Sequence, residues 1–151
     1  YWRMNNILIY TFRTFPWTEE IKSISKNIII LDKLKVDILK IEKILKENKY
    51  ALVLGIAKGR DSSVFETKGV NQFNKGKILT DGKESYPLCF PKQGFENIKV
   101  NKGYTTSFCN WGMYMVSKII EESSPESKHF FVHIKEEDIP LLKKYLTSEE
   151  S

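Results

Sequence analysis

Tyr50-Ala51-Leu52-Val53-Leu54-Gly55-Ile56-Ala57 is an apolar run of strand length. Both faces of such a strand are apolar, so it belongs in the middle of a sheet covered on both sides by helices. Asn6-Ile7-Leu8-Ile9-Tyr10-Thr11-Phe12, residues 27–31 and Lys128-His129-Phe130-Phe131-Val132-His133-Ile134 read as further buried strands, rich in β-branched and aromatic residues. Helical patterns fall between and after them. In residues 36–48, Ile38, Ile41 and Leu45 share one face with Ile44 beside them, and Lys40, Lys43, Lys46 and Glu47 lie largely on the other. Residues 110–122 form a second helix, stopped by Ser123-Ser124-Pro125. Residues 136–146 form a third, with Glu136, Glu137 and Asp138 suited to its N-terminus. Strands alternating with helices imply an α/β fold: a single three-layer α/β/α domain with a mostly parallel central sheet.

That domain is expected to span residues 4–151, with Tyr1-Trp2-Arg3 an upstream remnant or flexible tail ahead of Met4. The remaining segments are less regular. Arg13 to Trp17 is a loop, and Thr18-Glu19-Glu20-Ile21 opens a short helix. Residues 58–71 read as a loop after the central strand, residues 70–79 as a weak strand or hairpin, and residues 98–100 as a short strand. Residues 80–103, with Pro87, Pro91, Gly94 and Gly103, are the least regular.

The chain has 151 residues, 41% hydrophobic and 28% charged, ordinary values for a globular protein. No apolar run is long enough to cross a bilayer, and no signal peptide is recognisable. Two cysteines, Cys89 and Cys109, do not make a disulfide framework, which favours a reducing, cytoplasmic setting. The net charge of +5 comes from lysines interleaved with Glu and Asp. That pattern describes a solvated surface and not a specific nucleic-acid interface.

In parallel sheets, sites form at the carboxyl ends of strands. The loops after residues 12, 57, 108 and 133 therefore line one edge, and three reactive side chains stand there. Cys109 sits where a polar run becomes a helix, a position that favours thiolate. His133, at the end of the last strand, is the usual base for a Cys nucleophile. Glu66, in the loop after the central strand, can orient the histidine, and Asp61 competes for that role. Each also fits a plainer description: a small buried hydrophobe, a core histidine, an exposed carboxylate. His129 is expected at the other end of its strand, on the surface, roughly 13 Å from His133 and too far for common metal ligation. Neither a metal nor a cofactor is expected.

The spacing of three motifs resembles type I pyroglutamyl peptidases, also called pyrrolidone-carboxylate peptidases. Gly55-Ile56-Ala57-Lys58-Gly59-Arg60 is followed by Glu66 six residues after the Arg and by Asn71 five after the Glu. Thr106-Ser107-Phe108-Cys109-Asn110 with Tyr114 is similar to the family's nucleophile motif, and Phe131-Val132-His133-Ile134 to its histidine motif. Phe12 and Phe15 match its N-terminal segment. The resemblance implies a cysteine peptidase with Glu66, Cys109 and His133 as its triad. It also implies a small peptide substrate with a blocked N-terminus, and a substrate pocket including Phe12, Phe15, Ile56 and Phe108.

Several positions depart from the family pattern. Pro16-Trp17 stands in place of a Gly pair, Ile56 and Lys58 alter a pocket-lining motif, and Thr105 replaces a Gly. Lys77 aligns only roughly with a family Arg near the oxyanion site. The chain is also shorter than usual members, around residues 17–27 and 80–103, which weakens the basis for the family's pyroglutamyl pocket and oligomer contacts while leaving a homo-oligomer possible. Two other readings follow: a cysteine hydrolase of the same fold acting on another small acyl group, and an inactive relative serving as a binding module.

Overall fold

The structure, a computed structural model, describes residues 6–92, 95 and 97–147. The expected tail, Tyr1-Trp2-Arg3, lies outside the described residues. The strands are β1 (Ile7–Phe12), β2 (Ile28–Leu31), β3 (Leu52–Lys58), β4 (Ser63–Glu66), β5 (Lys68–Val70), β6 (Ser85–Pro87), β7 (Ile98–Asn101) and β8 (Lys128–Ile134). The helices are α1 (Thr18–Ile21), α2 (Leu34–Glu47), α3 (Phe108–Ser123) and α4 (Ile139–Thr147), with a 3-10 turn at Glu136–Asp138 before α4. Six strands make the central sheet in the order β2-β1-β3-β8-β4-β7, and β5 and β6 form a separate antiparallel pair. Strands β2, β1, β3 and β8 run parallel. β4 runs antiparallel to β8, and β7 parallel to β4. Among the described residues, no helix is long and apolar enough to cross a membrane.

Strand alternation divides the core in two. Leu8, Tyr10, Phe12, Val53, Ala57 and Phe131 face α2 and α3, which contribute Ile38, Ile41, Leu45, Met113 and Val116. Ile7, Ile9, Leu54, Ile56, Phe130 and Val132 face the other way, onto Ile21, Ile139, Leu142 and Leu146. This is the three-layer arrangement. Each fully buried large side chain contributes on the order of 1.5–3 kcal/mol. Gly55 is required where the first core is tightest. A Cβ there would stand 2.3 Å from Phe131 Cδ2 and 2.5 Å from the Tyr10 ring.

Three expectations need correction. Residues 63–66 are a strand and not part of a loop. β4 is short and begins with Ser63, so sequence alternation hides it, yet it lies between β8 and β7 and is mostly buried. The stretch read as least regular holds a strand, β6; residues 70–79 hold the expected hairpin as a tight turn in which Phe73 and Gly76 bridge antiparallel, their N–H and carbonyl groups exchanging hydrogen bonds at 2.8 and 3.1 Å. β5 ends at Val70 and pairs with β6 at residues 85–87. The turn between them is braced by Asn71, whose Oδ1 accepts the N–H groups of Ile78 and Leu79, each at 2.8 Å.

The third correction concerns His129, which is 5% exposed rather than on the surface. It shares the α3-facing side of β8 with Phe131 and His133. Its Nε2 is hydrogen-bonded with Tyr10 Oη at 2.7 Å and its Nδ1 with Ser117 Oγ at 2.9 Å. Both ring nitrogens are thereby satisfied in a neutral ring, so α3 meets the sheet through a polar contact inside an apolar layer.

Burial pushes the His129 imidazolium down to about 3 from an ordinary 6.5. The unfolded chain therefore takes up this proton first as pH falls. The contribution to stability is complete above about pH 6.5 and is lost as pH falls toward 3, at up to about 1.4 kcal/mol per pH unit. Urea unfolding at pH 7.5, 6, 5 and 4.5 is expected to show this loss. His129→Gln, which lacks the titrating ring, is expected to show a shallower dependence than wild type.

Candidate active site

Cys109 is the second residue of α3 and is 5% exposed. Ser107, in extended conformation, precedes the helix, and its carbonyl accepts the Trp111 N–H at 3.1 Å. The first-turn N–H groups of such a helix have no carbonyl partner within it. Asn110 fixes the helix start from the side. Its Oδ1 accepts the Val70 N–H at 2.8 Å, and its Nδ2 donates to the carbonyls of Val70 and Gln72 at 2.9 and 2.8 Å. Gly69 allows β5 to approach α3 this closely, since a Cβ there would lie 2.8 Å from the Tyr114 backbone nitrogen.

His133 and Glu66 meet across two neighbouring strands. Val64 pairs with His133 in the antiparallel β4–β8 register, which sets Glu66 diagonally across from the histidine on the same face. His133 Nδ1 and Glu66 Oε2 are 2.7 Å apart. The other carboxylate oxygen, Oε1, accepts a hydrogen bond from Asn101 Nδ2 at 2.8 Å. Glu66 is 2% exposed, so both of these partners replace water. Asp61, the competing carboxylate, lines the same cleft, but the oxygen on His133 belongs to Glu66.

These groups line one cleft of about 750 Å³. Glu66, Cys109, His133 and Phe108 all border it, together with Ala57, Lys58 and Arg60 from the end of β3. Phe12 is behind this wall, buried, with its ring 5.0 Å from that of Phe108 in an edge-on contact. Ile56 and Phe15 are elsewhere. Both lie in the core on the opposite side of the sheet, so their expected place in the substrate pocket is corrected. The reason is the two-residue period of a strand: Ala57 faces the cleft, so Ile56 cannot. Lys77 lines a separate hollow with Phe73 and Trp111, and the cations that border the cysteine's cleft are Lys58 and Arg60.

Burial works against the thiolate in this arrangement. Burial pushes Cys109 up to about 12, and the Glu66 charge adds to the rise. A hydrogen bond with Ser107 and the charge of Arg60 pull the other way. The helix start favours thiolate, and burial opposes it. Sequence reasoning also missed Asn101. A polar residue at the end of a four-residue strand carries no pattern, and only the β4–β7 register places it beside Glu66.

The three-layer α/β/α fold is shared with solved structures of pyrrolidone carboxyl peptidases and pyroglutamyl peptidases. It is similar to pyrrolidone carboxyl peptidase from Thermococcus litoralis, with TM-score 0.72 and 16% identity over 85% of this chain and 76% of that one. It is similar to pyroglutamyl peptidase I from Bacillus amyloliquefaciens, with TM-score 0.70 and 16% identity over 91% and 89%. A mutant pyrrolidone carboxyl peptidase from Pyrococcus furiosus gives TM-score 0.68 and 15% identity over 91% and 86%. At these identities the likeness defines the fold. No protein-family model and no curated protein matches the sequence.

Iodoacetamide checks the state of the thiol directly, because only thiolate reacts. Alkylation of Cys109 in the free protein, followed by peptide mass spectrometry, is expected to accelerate continuously from pH 7 to pH 10. A plateau already reached below pH 7 would mean a preformed thiolate instead.

Proposed function

We propose that the protein is a cysteine peptidase that removes an N-terminal pyroglutamyl residue from small peptides. The observation that carries this reading is the hydrogen-bonded Glu66–His133 pair sharing a cleft with Cys109 at the start of α3, within a fold held in common with pyroglutamyl peptidases. Glu66 accepts from Nδ1–H of His133, which leaves Nε2 free to take a proton. Because burial opposes a standing thiolate, the thiol proton passes to His133 as sulfur attacks the substrate carbonyl. Unpaired N–H groups in the first turn of α3 receive the developing oxyanion. The C–N bond then breaks, and His133 returns the proton to the leaving amine. Water, deprotonated by His133, cleaves the thioester. Phe108, partly exposed on the cleft wall, offers an apolar surface to the flat lactam ring. Both cysteines are free thiols, which suits a reducing compartment such as the cytoplasm.

A second reading draws on the charges of the cleft. Lys58 and Arg60 border it against one carboxylate, Asp61, and Ile56 is turned away, so the wall after β3 keeps one more positive charge than a neutral lactam requires. The same machinery would then hydrolyse another small acyl group, one carrying negative charge.

A fluorogenic pyroglutamyl amide, run beside unblocked and acidic aminoacyl amides, separates the two. The pyroglutamyl amide is expected to turn over. Cys109→Ser is expected to lower kcat by about a thousandfold or more, and Glu66→Gln by about a hundredfold or more. Turnover of acidic amides alone, abolished by Cys109→Ser, would favour the second reading. Equal activity in wild type and Cys109→Ser would sink both.

A further inference from the structure

We propose that Asn101 is a positioning residue that turns the Glu66 carboxylate onto His133. The inference rests on the reading of His133 as the base and goes beyond it, since Asn101 touches neither the cysteine nor the histidine in the contacts described above.

Glu66 is buried, and a carboxylate has two oxygens to satisfy. One, Oε2, meets His133 Nδ1 at 2.7 Å. The other, Oε1, would face the protein interior without a partner were it not for Asn101 Nδ2 at 2.8 Å. Rotation of the carboxylate away from the imidazole would break that second bond, so it is opposed. The amide is itself fixed. Its Oδ1 accepts the Gly103 N–H at 3.0 Å, which leaves only the NH₂ group to point at Glu66. The backbone is held as well, because Glu66 and Asn101 are register partners in the parallel β4–β7 pair. The Asn101 carbonyl also accepts the Thr67 hydroxyl at 2.9 Å. Two neighbouring residues of the β4 segment thus grip Asn101 by side chain and by backbone.

The residue type fits the task. Asn donates a hydrogen bond without bringing a charge. A Lys or Arg at this place would form its own ion pair with Glu66 and draw the negative charge away from the imidazolium. An Asp would share a proton with Glu66, as two close carboxylates do. A neutral donor leaves the full carboxylate charge to support His133 when it takes the thiol proton.

The test uses the full chain with Asn101→Ala and Asn101→Asp. Two quantities are read: the far-downfield proton resonance of His133 Nδ1–H, and turnover of a pyroglutamyl amide from pH 5 to pH 9. Asn101→Ala is expected to broaden or lose the resonance and to lower kcat about tenfold with KM within twofold, the usual scale for a residue that orients another. Its activity relative to wild type is expected to be the same at every pH. Asn101→Asp is expected to behave differently. When protonated it donates an O–H to Glu66, so its activity relative to wild type is highest at acid pH and declines as pH rises. That dependence does not arise from a loss of packing. The proposal is overturned if both variants keep the resonance and wild-type kcat. It is also overturned if both lose activity alike at all pH values with the resonance intact. If Asn101→Ala does not fold, the pH dependence of Asn101→Asp decides. A wild-type protein that leaves pyroglutamyl amides untouched would refute the substrate reading alone, since the resonance still reports whether residue 101 holds the Glu66–His133 pair.

Discussion

One antiparallel strand pair in an otherwise parallel sheet sets the geometry of the site. β8 runs parallel to β3 on one side and antiparallel to β4 on the other. Had β4 been parallel to β8, its last residue would lie at the carboxyl edge of the sheet, beyond the histidine. Running the opposite way, β4 enters at that edge and carries Glu66 back along the sheet, diagonal to His133 and buried. A buried carboxylate demands hydrogen-bond donors on both oxygens. His133 supplies one and Asn101 the other, and Asn101 is available only because β7 pairs on the outer side of β4. The direction of one short strand thus determines which residues must surround the carboxylate.

Cys109 is placed by a different means. It belongs to the apolar layer between α3 and the sheet, in one cluster with Tyr10, Phe12 and Phe131. Close packing there restricts where its sulfur lies, because protein interiors tolerate few voids. The same packing removes water from the sulfur and disfavours its anion. Position is gained while acidity is lost, which is why the proposed mechanism moves the thiol proton to a base. Arg60 and Ser107 reduce the loss without reversing it.

Much of this was legible in the sequence. Apolar runs at residues 6–12, 50–57 and 128–134 have strand length, and the spacing of Ile38, Ile41 and Leu45 has helical period; the structure has β1, β3, β8 and α2 there. The alternation of strands and helices implied the three layers. Glu66 and His133 were singled out, and they are hydrogen-bonded. What stayed hidden shares one physical cause. β4, β6 and the role of Asn101 depend on pairing between distant segments, and strands of three or four residues are too short to show alternation. Ile56 and Phe15 were placed in the pocket by motif position, which ignores the face on which each side chain falls. His129 is polar and one residue from the strand's start, so it read as exposed. Its burial depends on Tyr10 and Ser117, from two other elements.

The seven-residue passage from the end of β7 to the start of α3 links two parts of the site. Asn101 begins it and binds Glu66; Ser107 closes it and precedes the helix that bears Cys109. Thr106, between them, accepts the Asn74 N–H through its carbonyl at 3.1 Å. A displacement of this passage carries the carboxylate's partner and the cysteine's helix start together. The connection is therefore a tie as well as a link: an insertion or deletion within residues 101–107 would be felt at the carboxylate and at the cysteine's helix start alike.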